Sequence, residues 1–104
     1  MGRFGAGVSA FLLVACTGGT ALAAGNAERG GTIAGRWCAS CHLVGPGQTS
    51  ASADVPTFAA VAARSKGELG WLEGFLADPH PAMPDMSLTR QEIRDLAAYI
   101  GSLD

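Results

Sequence analysis

Two thiols and an imidazole fall within five consecutive residues of this 104-residue chain, Cys38-Ala39-Ser40-Cys41-His42. No other segment restricts the fold as much. Residues three apart on a helical turn share a face, so both sulfurs face one object and the next side chain stands beside it. The rest of the composition shows why such a cluster matters. The chain has four Phe, two Trp and one Tyr against fifteen Gly, so large core-filling side chains are scarce. A chain this short also buries proportionally little surface. One small domain is the limit, and it is expected to need something besides its own side chains to fill its core.

Charge and hydropathy exclude two classes. Nine acidic and seven basic side chains give a formal charge of −2, which is unsuited to a nucleic-acid binder working by bulk electrostatics. A content of 48% apolar and 15% charged residues excludes a disordered polar chain.

The N-terminal segment reads as a signal rather than as part of the fold. Arg3 supplies a positive charge, and the apolar run VSAFLLVA at 8–15 follows it. That run is too short for a bilayer-spanning helix of roughly 20 residues. Gly18 and Gly19 break the pattern, and Ala21-Leu22-Ala23 gives the small-x-small pattern of a signal-peptidase site. Residues 1–24 are therefore expected to be a cleaved signal peptide, ending at Ala23 or Ala24, with residues 25–104 as the exported, periplasmic domain. A buried N-terminal helix fits poorly, given the glycines and the missing polar face. A competing pattern, Leu13-Val14-Ala15-Cys16, resembles a bacterial lipobox, in which a lipidated Cys16 would anchor the same domain to a membrane. Nothing else in the chain could span a bilayer. Arg3 and Cys16 leave with the signal, so the mature domain keeps six basic residues and two cysteines.

The mature segment has no strand pattern and no internal repeat, and an all-α fold of three to four helices is expected. Asn26 is a candidate N-cap for a helix over 27–41, with Glu28 in the first turn where it suits the dipole. Gly45-Pro46-Gly47 ends that helix, and residues 48–56 read as an irregular loop. Short helices are expected over 58–64 and 67–78, the second with Leu69, Leu72, Phe75 and Leu76 at helical spacing. Pro79, Pro81 and Pro84 forbid regular helix after that. Thr89 and Glu92 fit a capping box before a final helix with Ile93, Leu96, Ala97 and Ile100 on its apolar face. Loops this long are uncommon in a small domain, and a large buried ligand would explain them.

C-x-x-C-H is the attachment signature of c-type haem. Two thiols on one turn can add to the two vinyl groups of one porphyrin, and the following histidine places an imidazole under the iron. A thiol-redox C-x-x-C would want a preceding strand and a mixed α/β pattern. A zinc site using Cys38, Cys41 and His80 would need a further ligand. One covalent haem c, held by Cys38 and Cys41 with His42 on the iron, is the expectation.

With these residues in hand, the whole mature chain resembles the class I c-type cytochromes. The resemblance rests on Gly30 in the first helix, the C-x-x-C-H motif, Val55-Pro56, Ala82-Met83-Pro84 and the closing run Leu96-Ala97-Ala98-Tyr99-Ile100, in that order. It implies a cytochrome c-like fold wrapped around one haem. It further implies a second iron ligand from the proline-rich segment, where His80, Met83 and Met86 are the candidates and Met83, which precedes a proline, is favoured. The carbonyl of Pro56, with Pro46 as rival, would accept a hydrogen bond from His42. Gly30 would allow close crossing of the first and last helices against Tyr99. Ala34 stands where family members often carry an aromatic residue. Trp37, Phe58, Trp71 and Phe75 are read as pocket or core residues, and Arg36 and Arg64 as solvated side chains within reach of propionates.

The resulting expectation is an exported, monomeric, monohaem carrier of single electrons, not an enzyme. Its partners would be redox proteins such as a dehydrogenase, reductase or oxidase, with no nucleic acid, and with a membrane only if Cys16 is lipidated. A haem-bearing subunit of a periplasmic dehydrogenase complex is an alternative. A haem enzyme or gas sensor is another, if the sixth position is open. Lys66 is the single lysine, so docking is expected to rest on apolar contact and a few charges.

Overall fold

Asn26 starts the first helix. The computed structural model describes residues 24–79 and 83–103, together with positions 2, 5, 7 and 9–13 of the N-terminal segment. Asn26 is in extended conformation and its side chain accepts from Arg29 N–H, which begins α1, Ala27–Ile33. The hydrogen-bond ladder then widens. Ala39 N–H donates to Ala34 O, five residues back, at 3.0 Å, giving a π-helical turn over Ala34–Cys38. The sequence predicts one continuous helix to residue 41. The observed element closes at Cys38 and passes into tight turns, with Cys41 N–H and His42 N–H both donating to Cys38 O at 3.1 and 2.8 Å. One extra residue in a turn rotates all that follows by about 100°. The π-helical turn therefore re-aims the thiol and imidazole segment relative to the axis of α1, a use typical of such turns.

Three further helices follow, and the described residues contain no strand. Thr57 caps α2, Phe58–Ser65, by accepting from Ala60 N–H. Lys66 closes it in the left-handed region at φ 48°, and Gly67 continues the turn at φ 81°. Helix α3, Leu69–Ala77, starts two residues later than its apolar spacing predicts because of that turn. Residues 83–89 run without regular structure to α4, Arg90–Gly101. Its start is the capping box read from the sequence: Glu92 N–H donates to Thr89 Oγ1, and Thr89 N–H donates to Glu92 Oε1.

Helix α1 crosses α4, and the crossing organises the domain. A Cβ on Gly30 would fall on the carbonyl of Asp95 and 2.6 Å from Tyr99 Cβ, so only glycine lets the helices approach this closely. Asp95, buried beneath the crossing, accepts from Asn26 N–H and from Gln91 Nε2, both at 2.8 Å. Ala34 is fully buried in the same core as Leu96 and Ala97. A small side chain there matches the close approach of the two helices. The core formed by the described residues is thin. Its largest fully buried side chains are Leu72, Leu96 and Ile100, joined by Phe58, Val44 and small residues. Among the four aromatics expected in pocket or core, Phe58 is buried and Phe75 half-buried, whereas Trp37 and Trp71 are each 51% exposed. Arg36 and Arg64 are exposed.

Candidate functional site

Cys38 and Cys41 are both free thiols, Cys38 buried in the core and Cys41 exposed. Burial pushes the Cys38 thiol up to about 11. A reactive redox cysteine needs the opposite shift, since the thiolate is its nucleophile. The burial of Cys38 therefore speaks against that residue as an exchanging thiol. The described residues also contain no grouping of three or more His, Cys, Asp or Glu that could hold a metal ion. His80, the third member of the zinc alternative, lies outside the described residues, as do Cys16 and the Ala21-Leu22-Ala23 site.

His42 is oriented by the backbone. Its Nδ1 lies 2.7 Å from Pro56 O. A carbonyl can only accept, so Nδ1 carries a proton, and in the neutral ring the lone pair is then on Nε2. This is the tautomer a metal-ligating imidazole requires, with its second nitrogen held by a backbone carbonyl. Pro56, and not Pro46, makes this contact. The bond is possible because Phe58 N–H donates to Leu43 O at 2.9 Å, which lays the segment before α2 alongside the residue after His42. The Phe58 ring then packs near the imidazole, with centroids 5.2 Å apart and planes at 50°.

The segment after His42 is tied down from two sides. Tyr99 donates its hydroxyl to Val44 O at 2.6 Å, linking the final helix to it across 55 residues. From within the loop, the Gln48 carboxamide accepts from Val44 N–H at 2.9 Å and donates toward Ala39 O, His42 O and Ser50 O at 2.9, 2.7 and 3.1 Å. Gln48 has no place in the sequence reading of the site. Its one visible mark is being the long-armed amide among the Ser, Ala, Thr, Gly and Pro of that loop.

Met83 and Met86 are both half-buried in the irregular segment before α4. Ser87, at φ 53°, donates its N–H to Asp85 Oδ1 at 2.8 Å and turns the chain between Met86 and Leu88, which packs on the core.

A helical domain with a thin core, two free thiols within four residues and a histidine held through Nδ1 has the parts that attachment of a c-type haem needs. Against known proteins, residues 25–100 match the family model described as cytochrome c oxidase, cbb3-type, subunit III. Cytochrome c-552 of Bradyrhizobium diazoefficiens is 54% identical over 97 residues, covering 93% of this chain and 92% of that protein. No solved structure matches. The chain belongs to this family of c-type cytochromes, as a small monohaem class I member that binds haem c covalently and transfers electrons.

Proposed function

We propose that the chain is an exported, monomeric electron carrier in which Cys38 and Cys41 would hold the haem through thioether bonds and His42 and Met83 would ligate its iron. Haem c supplies a one-electron iron couple when bound. The chain supplies the attachment, the fixed imidazole and a low-dielectric wall built from Phe58, Leu72, Leu96 and Ile100. The observation that carries the reading is the 2.7 Å contact between His42 Nδ1 and Pro56 O, directly after two free thiols. It leaves Nε2 as the nitrogen that would ligate the iron. A thioether from Met83 as the second ligand would suit a carrier, because His/Met ligation would raise the potential of the bound haem and leave its iron no free position.

Export is part of the same reading. Phe11, Leu12 and Leu13 of the apolar run are 91%, 86% and 90% exposed, so these three side chains are not part of the domain core. This supports removal of residues 1–24 on the way to the periplasm. N-terminal sequencing of the secreted product is expected to begin at Ala24 or Gly25. A product starting at a lipidated Cys16 and partitioning into detergent would replace the soluble carrier with a membrane-anchored one.

The decisive experiment is expression with haem-attachment machinery. The expected product retains one haem after denaturation and acid-acetone extraction, and its reduced form does not bind carbon monoxide. A haem-free product would overturn the proposal, and free binding of carbon monoxide would favour a sensor or enzyme. The family description, which names an oxidase subunit, favours a second reading as a subunit of a larger redox complex. Stable co-purification with an enzyme would select that reading over a diffusible carrier.

A further inference from the structure

The Gln48 side chain satisfies only backbone groups. Its Oε1 accepts from Val44 N–H, and its Nε2 faces the carbonyls of Ala39, His42 and Ser50. Three acceptors and one donor fix the orientation of the amide, and the two Nε2 hydrogens are shared among the three oxygens. Ala39 lies inside the C-x-x-C span, His42 ends the motif, and Val44 starts the return of the chain. A single side chain thus closes the backbone around the histidine. On the other side, the Phe58 N–H to Leu43 O bond brings Pro56 into place. The imidazole and its carbonyl partner sit on two strips of chain, and Gln48 braces the strip that bears the imidazole.

We propose that Gln48 is a positioning residue for His42: by holding the carbonyls of Ala39 and His42 it keeps Nδ1–H aimed at Pro56 O, and so helps set the reduction potential. The proposal rests on the reading of His42 as an axial ligand. The link is chemical. A hydrogen bond from the far nitrogen of a ligating histidine makes the ring more basic and orients it. A stronger bond favours the ferric state, and a loosened one raises the potential. A side chain that merely stabilised the loop would affect melting without moving either the Nδ1 proton or the potential.

The test uses the haem-loaded protein. Gln48→Met keeps the length of the side chain and removes every hydrogen bond. Gln48→Asn is neutral, keeps an amide and is one methylene too short, so it serves where Gln48→Met fails to take up haem. Thr89→Ala is the control, since it loses the α4 cap without touching the loop. Exchange of the His42 Nδ1 proton is followed by NMR in the reduced protein, alongside the midpoint potential. Both Gln48 variants are expected to exchange that proton about tenfold faster than the control, roughly the loss of one net hydrogen bond, at matched distance below the melting temperature. Both are expected to shift the potential upward. Exchange no faster than in Thr89→Ala, or an unmoved potential, overturns the proposal while leaving His42 as ligand. A wild-type spectrum without a histidine ligand overturns the ligation reading and this proposal with it.

Discussion

The bare α-carbon of Gly30 rests against the backbone carbonyl of Asp95, so α1 and α4 cross with no side chain between them at that point. Because of this close approach, Asp95 reaches Asn26 N–H at 2.8 Å and Tyr99 reaches the segment after His42. The crossing is thus the frame on which the thiols and imidazole are hung, although Gly30 sits in the middle of α1, before the π-helical turn that carries Cys38.

Gly30→Ala tests that frame. Helix propensity alone would favour alanine by about 0.5–1 kcal/mol. The added methyl would instead collide with the Asp95 carbonyl and lie 2.6 Å from Tyr99 Cβ, where backbone cannot give way cheaply. Overpacking of this kind costs about 1–3 kcal/mol, so thermal unfolding should show a net fall in melting temperature. Gly74→Ala in α3 is the counterpart, because a Cβ there meets nothing within 4 Å. It should raise the melting temperature slightly. If Gly30→Ala were as stable as wild type, the close crossing described above would be wrong.

Asp95 predicts a pH dependence. The Asn26 backbone N–H holds its carboxyl below the usual range, against the opposing effect of burial, with help from Gln91 and the charges of Arg29 and Arg94. A depressed carboxyl contributes stability that is complete above its unfolded value, about 3.9. That contribution is lost as pH falls through the lower folded value. Asp95→Asn cannot ionise. Urea unfolding should therefore show wild type more stable than Asp95→Asn at neutral pH, with the gap closing only below about pH 4. A gap that stayed constant down to acid unfolding would remove the carboxylate from the account.

Much of this architecture is legible in the sequence where the signal is local. The Asn26 cap and the Thr89–Glu92 box join groups three residues apart, and such pairs are written in adjacent positions. The C-x-x-C-H run is local too. The π-helical turn is not, because Ala34–Cys38 has the composition of an ordinary helix and differs by one residue in hydrogen-bond register. Gln48 and Asp95 are illegible for another reason. Asp95 meets Asn26 N–H across 69 residues, and the Gln48 amide finds backbone groups of Ala39, His42, Val44 and Ser50 that converge on it only once the loop has folded.

The thin core predicts dependence on the cofactor. With Leu72, Leu96 and Ile100 as the largest fully buried side chains among the described residues, the protein portion holds little apolar volume. Cys38→Ala combined with Cys41→Ala removes the covalent attachment without deleting a large side chain. Such a chain should keep some helix by far-ultraviolet circular dichroism. It should also lose the sharp unfolding transition and near-ultraviolet signal of fixed packing. A cooperative transition equal to that of the haem-bearing protein would show that the side chains suffice.

The final expectation concerns the ligand opposite His42. Met83 and Met86 are three residues apart in the same irregular segment and both are half-buried, so burial does not separate them. Their neighbours do. Met83 is followed by Pro84, whose fixed φ stiffens the chain and lowers the entropy lost in holding a weak ligand. Met86 is followed by Ser87 in a left-handed turn that serves to return the chain to Leu88 and the core. Oxidised protein should show the weak far-red charge-transfer band of a methionine sulfur on ferric haem. Met83→Ala should abolish that band, lower the potential and admit carbon monoxide to the reduced protein. Met86→Ala should keep the band and cost less than the roughly 2–5 kcal/mol of a fully buried methionine, because its side chain is partly exposed. His80→Ala should keep the band as well. If Met86→Ala removes the band and Met83→Ala spares it, the ligand lies three residues further along the chain. The carrier reading would survive that exchange, since either sulfur closes the site. If neither substitution matters and exogenous ligands bind the wild-type protein freely, the position is open, and the sensor or enzyme reading takes over, because the mature chain has no third methionine.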